Sequence, residues 1–293
     1  CDVSLSEHKG GRLICHYCGY TQPMPKLCPK CGSKYILGFK AGTQQIEEKL
    51  KELYPGVRTL RMDADTTRTK DSYEKILSSF ANGEADVLIG TQMIVKGHDF
   101  PKVTLVGILA ADLSLNASDY RAGERTFQLL TQAVGRAGRG GLPGEAVIQT
   151  YQPDHYAITC AAAQDYESFY QEEILYRELS GYPPVAHMLA VQIYGKEEEN
   201  VKQLALRLTD VVKSNMDFLS GKQKEQSNKK IQVLGPAPAN ISKINDIYRY
   251  VFYVKHAEYD VLVEVKDRLE ETLRQWQPRQ MSIQFDFDPV SVL

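Results

Sequence analysis

Val87-Leu-Ile-Gly90-Thr91-Gln92-Met-Ile-Val-Lys96-Gly97-His98-Asp99-Phe100 reads as a buried strand that gives way to a loop of hydroxyl, amide, cationic and acidic side chains. In open parallel sheets, ligands bind at the loops that follow the carboxyl ends of the strands. The flanking sequence repeats the strand and helix alternation that builds such a sheet. Upstream, Ile36 to Phe39 reads as a short strand. Thr43 is expected to cap a helix with Ile46, Leu50 and Leu53 on one face, ended by Pro55-Gly56, and Val57 to Met62 is the next strand. A helix from Lys70 to Asn82 places Tyr73, Ile76, Leu77 and Phe80 together and closes at Gly83. Downstream, strand Val103 to Leu109 runs to Asp112. A helix beginning near Asp119 to Arg121 ends in Gln132-Ala-Val-Gly135-Arg136-Ala-Gly138-Arg139, and Glu145 to Tyr151 is the last strand.

Arg136 and Arg139, three apart and spaced by glycines, make a compact cationic fork suited to phosphate oxygens. Basic residues at a helix end also complement the helix dipole with no further role, so the fork alone decides little. Combined with Thr91-Gln92 and Lys96-Gly97 one strand and helix earlier, it resembles motifs V and VI of the second motor lobe of superfamily 2 helicases. That resemblance implies a RecA-like lobe over residues 36–152. It makes Arg139 the arginine finger on the γ-phosphate of ATP, with Arg136 beside it and Gln132 positioning the nucleotide or its attacking water. It gives Thr91, Gln92, Lys96 and Gly97 a coupling role between the nucleic-acid backbone and the nucleotide, with Asp99 at the ribose and Gly135 letting the backbone approach. Gly42-Thr43 resembles the motif IV region, where a helix amino end can hold a DNA phosphate. There is no G-x-x-x-x-G-K-[ST] and no D-E-x-[DH] sequence, so the chain carries half of an ATP site and is expected not to hydrolyse ATP by itself.

Five of six cysteines fall in the first 31 residues, as Cys1, Cys15-His-Tyr-Cys18 and Cys28-Pro-Lys-Cys31. Each C-x-x-C is followed by glycine, which permits the turn that aims two sulfurs at one ion, and zinc is the expected occupant. A pair of disulfides is the competing reading. Nine residues between the pairs is short for one four-cysteine site, so the pairs are expected to serve different ions. Lys9, Arg12, Lys26, Lys30, Lys34 and Lys40 against Asp2 and Glu7 suit either a phosphate backbone or a solvated face. Cys160, in a run of alanines, reads as packing.

The order of the cysteine segment, Gly90 to Pro101, Gln132 to Arg139, Tyr182-Pro-Pro184 and Leu234-Gly-Pro-Ala-Pro238 resembles the PriA (primosomal protein N′) family of bacterial replication-restart helicases. The resemblance covers essentially the whole chain. It implies ATP-dependent 3′-to-5′ unwinding at abandoned or branched forks, with ATP and Mg2+ as cofactors, and contacts with single-stranded-DNA-binding protein and primosome proteins. It also implies zinc held by eight cysteines as two sites. In that pattern Cys15 and Cys18 share an ion with Cys1 and one further cysteine, while Cys28 and Cys31 need a pair this chain lacks. Three thiolates with water or His16 remain able to hold zinc, and loss of both sites is the alternative.

The last third reads as a long helix from Tyr156 to Leu179, with Tyr166, Phe169, Tyr170, Ile174 and Leu175 as a core stripe. A β-α-β-β-α-β ferredoxin-like unit follows: strand Met188 to Tyr194, a helix through Leu204, Leu208 and Val211, strands Ile231 to Leu234 and Arg249 to Val254, helix Tyr259 to Leu273, and strand Met281 to Phe287. Lys222 to Lys255 carries seven basic against two acidic residues, and Lys222 to Lys230 reads as a loop. Lys243, Arg249 and Lys255 with Tyr248 and Tyr250 are candidates for stacking on single-stranded or forked DNA, against an ordinary solvated sheet. Strand alternation puts Tyr248, Tyr250 and Phe252 on one face and Arg249, Val251 and Tyr253 on the other.

The 293 residues, 43% hydrophobic and 25% charged with net charge −2, fit an ordinary folded protein of about two domains. The expected divisions are a zinc-binding segment at 1–35, the motor lobe at 36–152, a linking helix at 153–184 and a C-terminal DNA-binding domain at 185–293. The start at Cys1 suggests a piece of a longer protein. With no apolar run of about 18 residues the chain is expected to be soluble and cytoplasmic, not in the membrane, and the family resemblance implies a bacterial, nucleoid-associated setting. A non-enzymatic zinc-dependent DNA- and partner-binding module is the alternative function.

Overall fold

The computed structural model describes residues 1–3, 5–8, 11–15, 17–29, 31–34, 42–63, 66–67, 70–95, 100–117, 119–138, 143–214 and 230–290. The chain divides into two compact units. One comprises Cys1–Pro25, Ser118–Arg121 and Gln171–Leu293, and the other Lys26–Ala117 and Ala122–Tyr170. Among the described residues, no helix is long and apolar enough to cross a membrane.

In the second unit the elements are α1 (Thr43–Leu53), β4 (Thr59–Met62), α2 (Lys70–Ala81), β5 (Val87–Gly90), a 3-10 turn at Gln92–Val95, β6 (Leu105–Ile108), α3 (Asp112–Leu115), α4 (Ala122–Val134), β7 (Glu145–Ile148) and α5 (Tyr156–Ala163). The strands are parallel, as the alternation predicts. Among the described residues they pair as β4 with β5 and β6 with β7, in four-residue ladders. The expected strand Ile36 to Phe39 lies outside the described residues. Gly42, not Thr43, caps α1. The core of this unit joins Phe127 and Leu130 of α4 to Ala157, Ile158 and Ala161 of α5 and to Phe169, whose ring stacks on Phe127 at 4.0 Å.

The helix expected over Tyr156 to Leu179 is two helices, α5 and α6 (Tyr166–Ser180). Gln164, with φ 56°, turns the chain out of α5, and Asp165 caps α6 by accepting hydrogen bonds from the Ser168 N–H and hydroxyl. Of the expected aromatic stripe Phe169 is buried, whereas Tyr166 and Tyr170 are exposed.

The first unit holds β1 (Ser6–His8), β2 (Arg12–Ile14) and β3 (Thr21–Pro23), an antiparallel three-stranded sheet. It also holds β8 (His187–Gly195), α7 (Glu198–Ser214), β9 (Gln232–Ile244), β10 (Ile247–His256), α8 (Tyr259–Trp276) and β11 (Met281–Phe287). Their strand order β11-β8-β10-β9, antiparallel throughout, is that of the ferredoxin-like unit. Alternation along β8 and β10 turns Leu189, Val191, Ile193, Tyr250, Phe252 and Val254 toward Leu204 and Leu208 of α7 and Leu262, Val265 and Leu269 of α8. β9 is 13 residues long, well beyond the expected Ile231 to Leu234. It tolerates Pro236 and Pro238 because it lies at the sheet edge and slips register against β10. The expected loop Lys222 to Lys230 lies outside the described residues up to position 229.

Candidate functional site

Thr91 and Gln92 are exposed and lead into the 3-10 turn, which the Thr91 carbonyl begins by accepting from the Ile94 N–H at 3.1 Å, and α4 packs on that turn. The apolar side of α4 seats it on the core through Thr126, Phe127, Leu130 and Ala133, which leaves Gln132 exposed. Beyond α4 the chain tightens: Gly135 N–H bonds Thr131 O at 3.0 Å, Arg136 N–H bonds Ala133 O at 3.0 Å, and Gly138, at φ 76°, bonds Val103 O at 2.9 Å. Arg136 is half-buried at this turn. Gly144 presses on it so closely that a Cβ there would stand 2.2 Å from the Gly138 nitrogen. Sequence reading had no reason to single out Gly144. Lys96, Gly97, Asp99 and Arg139 lie outside the described residues.

Two carboxylates of this unit are held by hydrogen bonds. Asp112, expected at a strand edge, instead opens α3 and is buried, accepting from the Thr150 hydroxyl at 2.7 Å and the Tyr151 N–H at 3.0 Å. Those bonds, the Thr150 hydroxyl foremost, hold its carboxyl below the usual range. At the start of α1, the Thr43 hydroxyl donates to Asp63 Oδ2 at 2.5 Å, and Arg61 Nε stands 2.9 Å from the same carboxylate. Burial works to raise the Asp63 pKa, yet hydrogen bonds from Thr43 and Thr66 and the Arg61 charge leave it lowered. The Thr43 hydroxyl is thus engaged by a carboxylate of the protein itself, beside the helix amino end expected at a DNA phosphate.

In the first unit the sulfurs of Cys1, Cys15 and Cys18 lie within 4.8 Å of one another. A tetrahedral zinc with Zn–S near 2.3 Å sets its sulfurs about 3.8 Å apart, so this donor set fits zinc with one position left for another ligand. Gly19 at φ 73° closes the knuckle, its N–H bonding Cys15 O at 2.9 Å. Cys15 is buried, and backbone N–H groups, that of Cys18 foremost, hold its thiol below its usual pKa, which favours the thiolate that metals bind. Cys28 and Cys31 lie in the other unit, on a second knuckle where Gly32 N–H bonds Cys28 O at 2.8 Å. His16 lies outside the described residues. The six cysteines are free in this structure.

On the C-terminal sheet the expected aromatic partners change. Tyr250 is buried under α7, and Lys255 is buried too, donating to Ser180 O at 2.6 Å over the Tyr182 ring. Burial pushes the Lys255 pKa down. Arg249 instead lies 5.7 Å from the ring of Tyr194, a partner the sequence reading missed, and the Tyr194 hydroxyl donates to Gln192 and Gln284. Lys243 pairs with Asp246 at 3.0 Å over Tyr248, and that hydrogen bond leads in raising its pKa.

Three family models match the chain: the helicase conserved C-terminal domain over residues 27–141, the PriA DNA helicase Cys-rich region domain over 1–23, and the primosomal protein N C-terminal domain over 178–290. The chain is 41% identical over 295 residues to the replication restart protein PriA of Bacillus subtilis, covering 100% of this chain and 35% of that protein. Against the protein of the same name from Synechocystis it is 38% identical over 297 residues, covering 100% and 34%. Against that from Haemophilus influenzae it is 33% identical over 282 residues, covering 96% and 36%. The chain thus spans about a third of the length of the curated relatives it matches.

Proposed function

We infer that this chain belongs to the PriA family of replication restart proteins, and on that premise we propose that it is the second motor lobe, cysteine-rich region and C-terminal DNA-binding domain of an ATP-dependent DNA helicase. The observation that supports this reading is the packing of α4, which carries Gln132 and leads into Gly135 and Arg136, on the 3-10 turn that follows Thr91. A partner lobe supplies the phosphate loop and the carboxylate for Mg2+. This lobe then contributes positive charge: Arg139 as the finger on the γ-phosphate, Arg136 beside it, and Gln132 orienting the attacking water. Thr91, Gln92 and Lys96 are assigned to the DNA backbone and Gly97 and Asp99 to the nucleotide, so that a change at one is felt at the other. Arg249 with Tyr194 offers a cation and a ring to single-stranded or forked DNA. Zinc on Cys1, Cys15 and Cys18 orders the amino-terminal sheet. Single-stranded-DNA-binding protein and primosome proteins in the bacterial cytoplasm are the partners this reading entails.

The chain by itself should bind forked DNA and hydrolyse no ATP, and fusion to the family's first motor lobe should create DNA-dependent turnover. ATP hydrolysis by the isolated chain, or a fusion that binds DNA and nucleotide but never turns over, would defeat the proposal.

A further inference from the structure

Cys1 and Cys15 receive their hydrogen bonds from different places. Cys15 sits in a knuckle whose own backbone turns the N–H groups of Cys18 and Tyr17 toward it. Cys1 takes its N–H from Asn245, 244 positions away, with 3.2 Å between nitrogen and sulfur. Asn245 and Asp246, at φ 50° and 61°, are the two-residue turn joining β9 to β10. That turn geometry fixes the direction in which the Asn245 N–H points. Two more bonds hold the alignment. The Asp2 N–H donates to the Lys243 carbonyl at 2.8 Å, and the Ser242 hydroxyl donates to Asp2 Oδ2 at 2.7 Å.

Thiolates gathered on a divalent metal keep excess negative charge, and N–H donors to sulfur offset it and orient the ligand. We propose that the tip of the β9–β10 hairpin is the outer shell of the metal site, so that the metal drawing Cys1, Cys15 and Cys18 together also fixes the hairpin through Asn245 and the Asp2–Ser242 bond. This rests on the zinc reading of the cluster. Coupling of this kind is reciprocal: whatever loosens the hairpin weakens the metal, and loss of the metal frees the hairpin. Lys243 rides on the same hairpin, so metal occupancy sets the position of a cation of the C-terminal domain. Ser242 and Asp2 act as positioning residues and touch no metal.

The test uses the whole chain, zinc-loaded and then stripped with a chelator, with zinc content measured alongside amide hydrogen exchange. Comparing zinc content with that of Cys15→Ser separates this site from Cys28 and Cys31. Exchange across 242–247 should quicken about tenfold on stripping while amides of β8 and α8 keep their protection. Ser242→Ala should release zinc to the chelator about tenfold faster, with Ser242→Thr, which keeps the hydroxyl, restoring the slow rate. Zinc that binds while exchange at 242–247 stays the same overturns the coupling and leaves the zinc reading standing, as does a wild-type release rate in Ser242→Ala. Loosening spread evenly through the C-terminal sheet also overturns it, since the metal would then be a general stabiliser. A wild-type chain holding no more zinc than Cys15→Ser overturns both readings together.

Discussion

On the proposed motor role, a methyl group placed on Gly144 should abolish turnover while leaving the fold nearly intact. The added Cβ would meet the Gly138 nitrogen at 2.2 Å, the Ala137 carbonyl carbon at 2.5 Å and the Gly138 Cα at 2.6 Å, where ordinary contact begins at 3.4 Å. These are backbone atoms, so no rotamer relieves the clash, and one segment must retreat by about 1.2 Å. β7 begins at Glu145, whose N–H bonds Thr104 O at 2.8 Å and which pairs with Leu105 in the ladder, so the strand is held. The yielding part is the turn at 136–138, whose Gly138 N–H would leave Val103 O. Overpacking of this kind costs about 1–3 kcal/mol, a tolerable loss for a folded domain. For chemistry the consequence is larger, because a displacement of about 1 Å in a charge-positioning group lowers turnover about 10²-fold. The assay is DNA-stimulated ATP hydrolysis by a polypeptide containing both motor lobes, with DNA affinity and thermal midpoint measured in parallel. Turnover of Gly144→Ala within threefold of wild type would refute the argument that Gly144 places the arginine turn.

Arg177→Met should lower the thermal midpoint of the C-terminal unit through a loss of about 3–5 kcal/mol, because Glu173 is buried and accepts from Arg177 Nε and Nη2 at 2.8 and 2.6 Å. An unchanged melt would show that the pair is not holding α6. Hydrogen bonds from Arg58, side chain first, hold the Asp86 carboxyl down to about 2. A depressed carboxylate contributes stability above its unfolded pKa of about 3.9 and loses it as pH falls toward the folded value, so the Arg58–Asp86 tie between β4 and β5 should weaken from about pH 4 to 2. Carbon-detected titration of Asp86 in Arg58→Ala should return toward the ordinary value, and a midpoint still near 2 would deny the cause. Tyr194→Ala and Arg249→Ala should each weaken single-stranded DNA binding by about 1–3 kcal/mol, whereas Tyr250→Phe should not, since Tyr250 is buried. The reverse ranking would move the DNA contact to another face.

The C-terminal unit was legible in sequence because its signals are local. Two-residue periodicity in Tyr248 to Val254 assigned the faces correctly, but it could not say which face α7 and α8 would cover, so Tyr250 looked available when it is core. The expected strand stopped at Leu234, and the position of β9 at the sheet edge explains how Pro236 and Pro238 sit inside a longer one. The parallel strands around Thr91 and the end of α4 were recognisable from a buried apolar run and a glycine-spaced basic pair. What periodicity cannot supply is long-range closure. Nothing local in Asn245 foretells a bond to Cys1, nothing in Gly144 foretells its approach to Gly138, and nothing in Thr43 foretells Asp63. Each depends on backbone paths set by other elements.

DNA-stimulated ATP turnover in a polypeptide that joins this chain to the family's first motor lobe, comparing wild type with Arg139→Ala, is the direct test of the central claim. The account predicts a fall of about 10³-fold or more in turnover with DNA binding preserved. Turnover unchanged by the substitution would mean that the arginine pair after α4 is structural and that the lobe does not complete an ATP site.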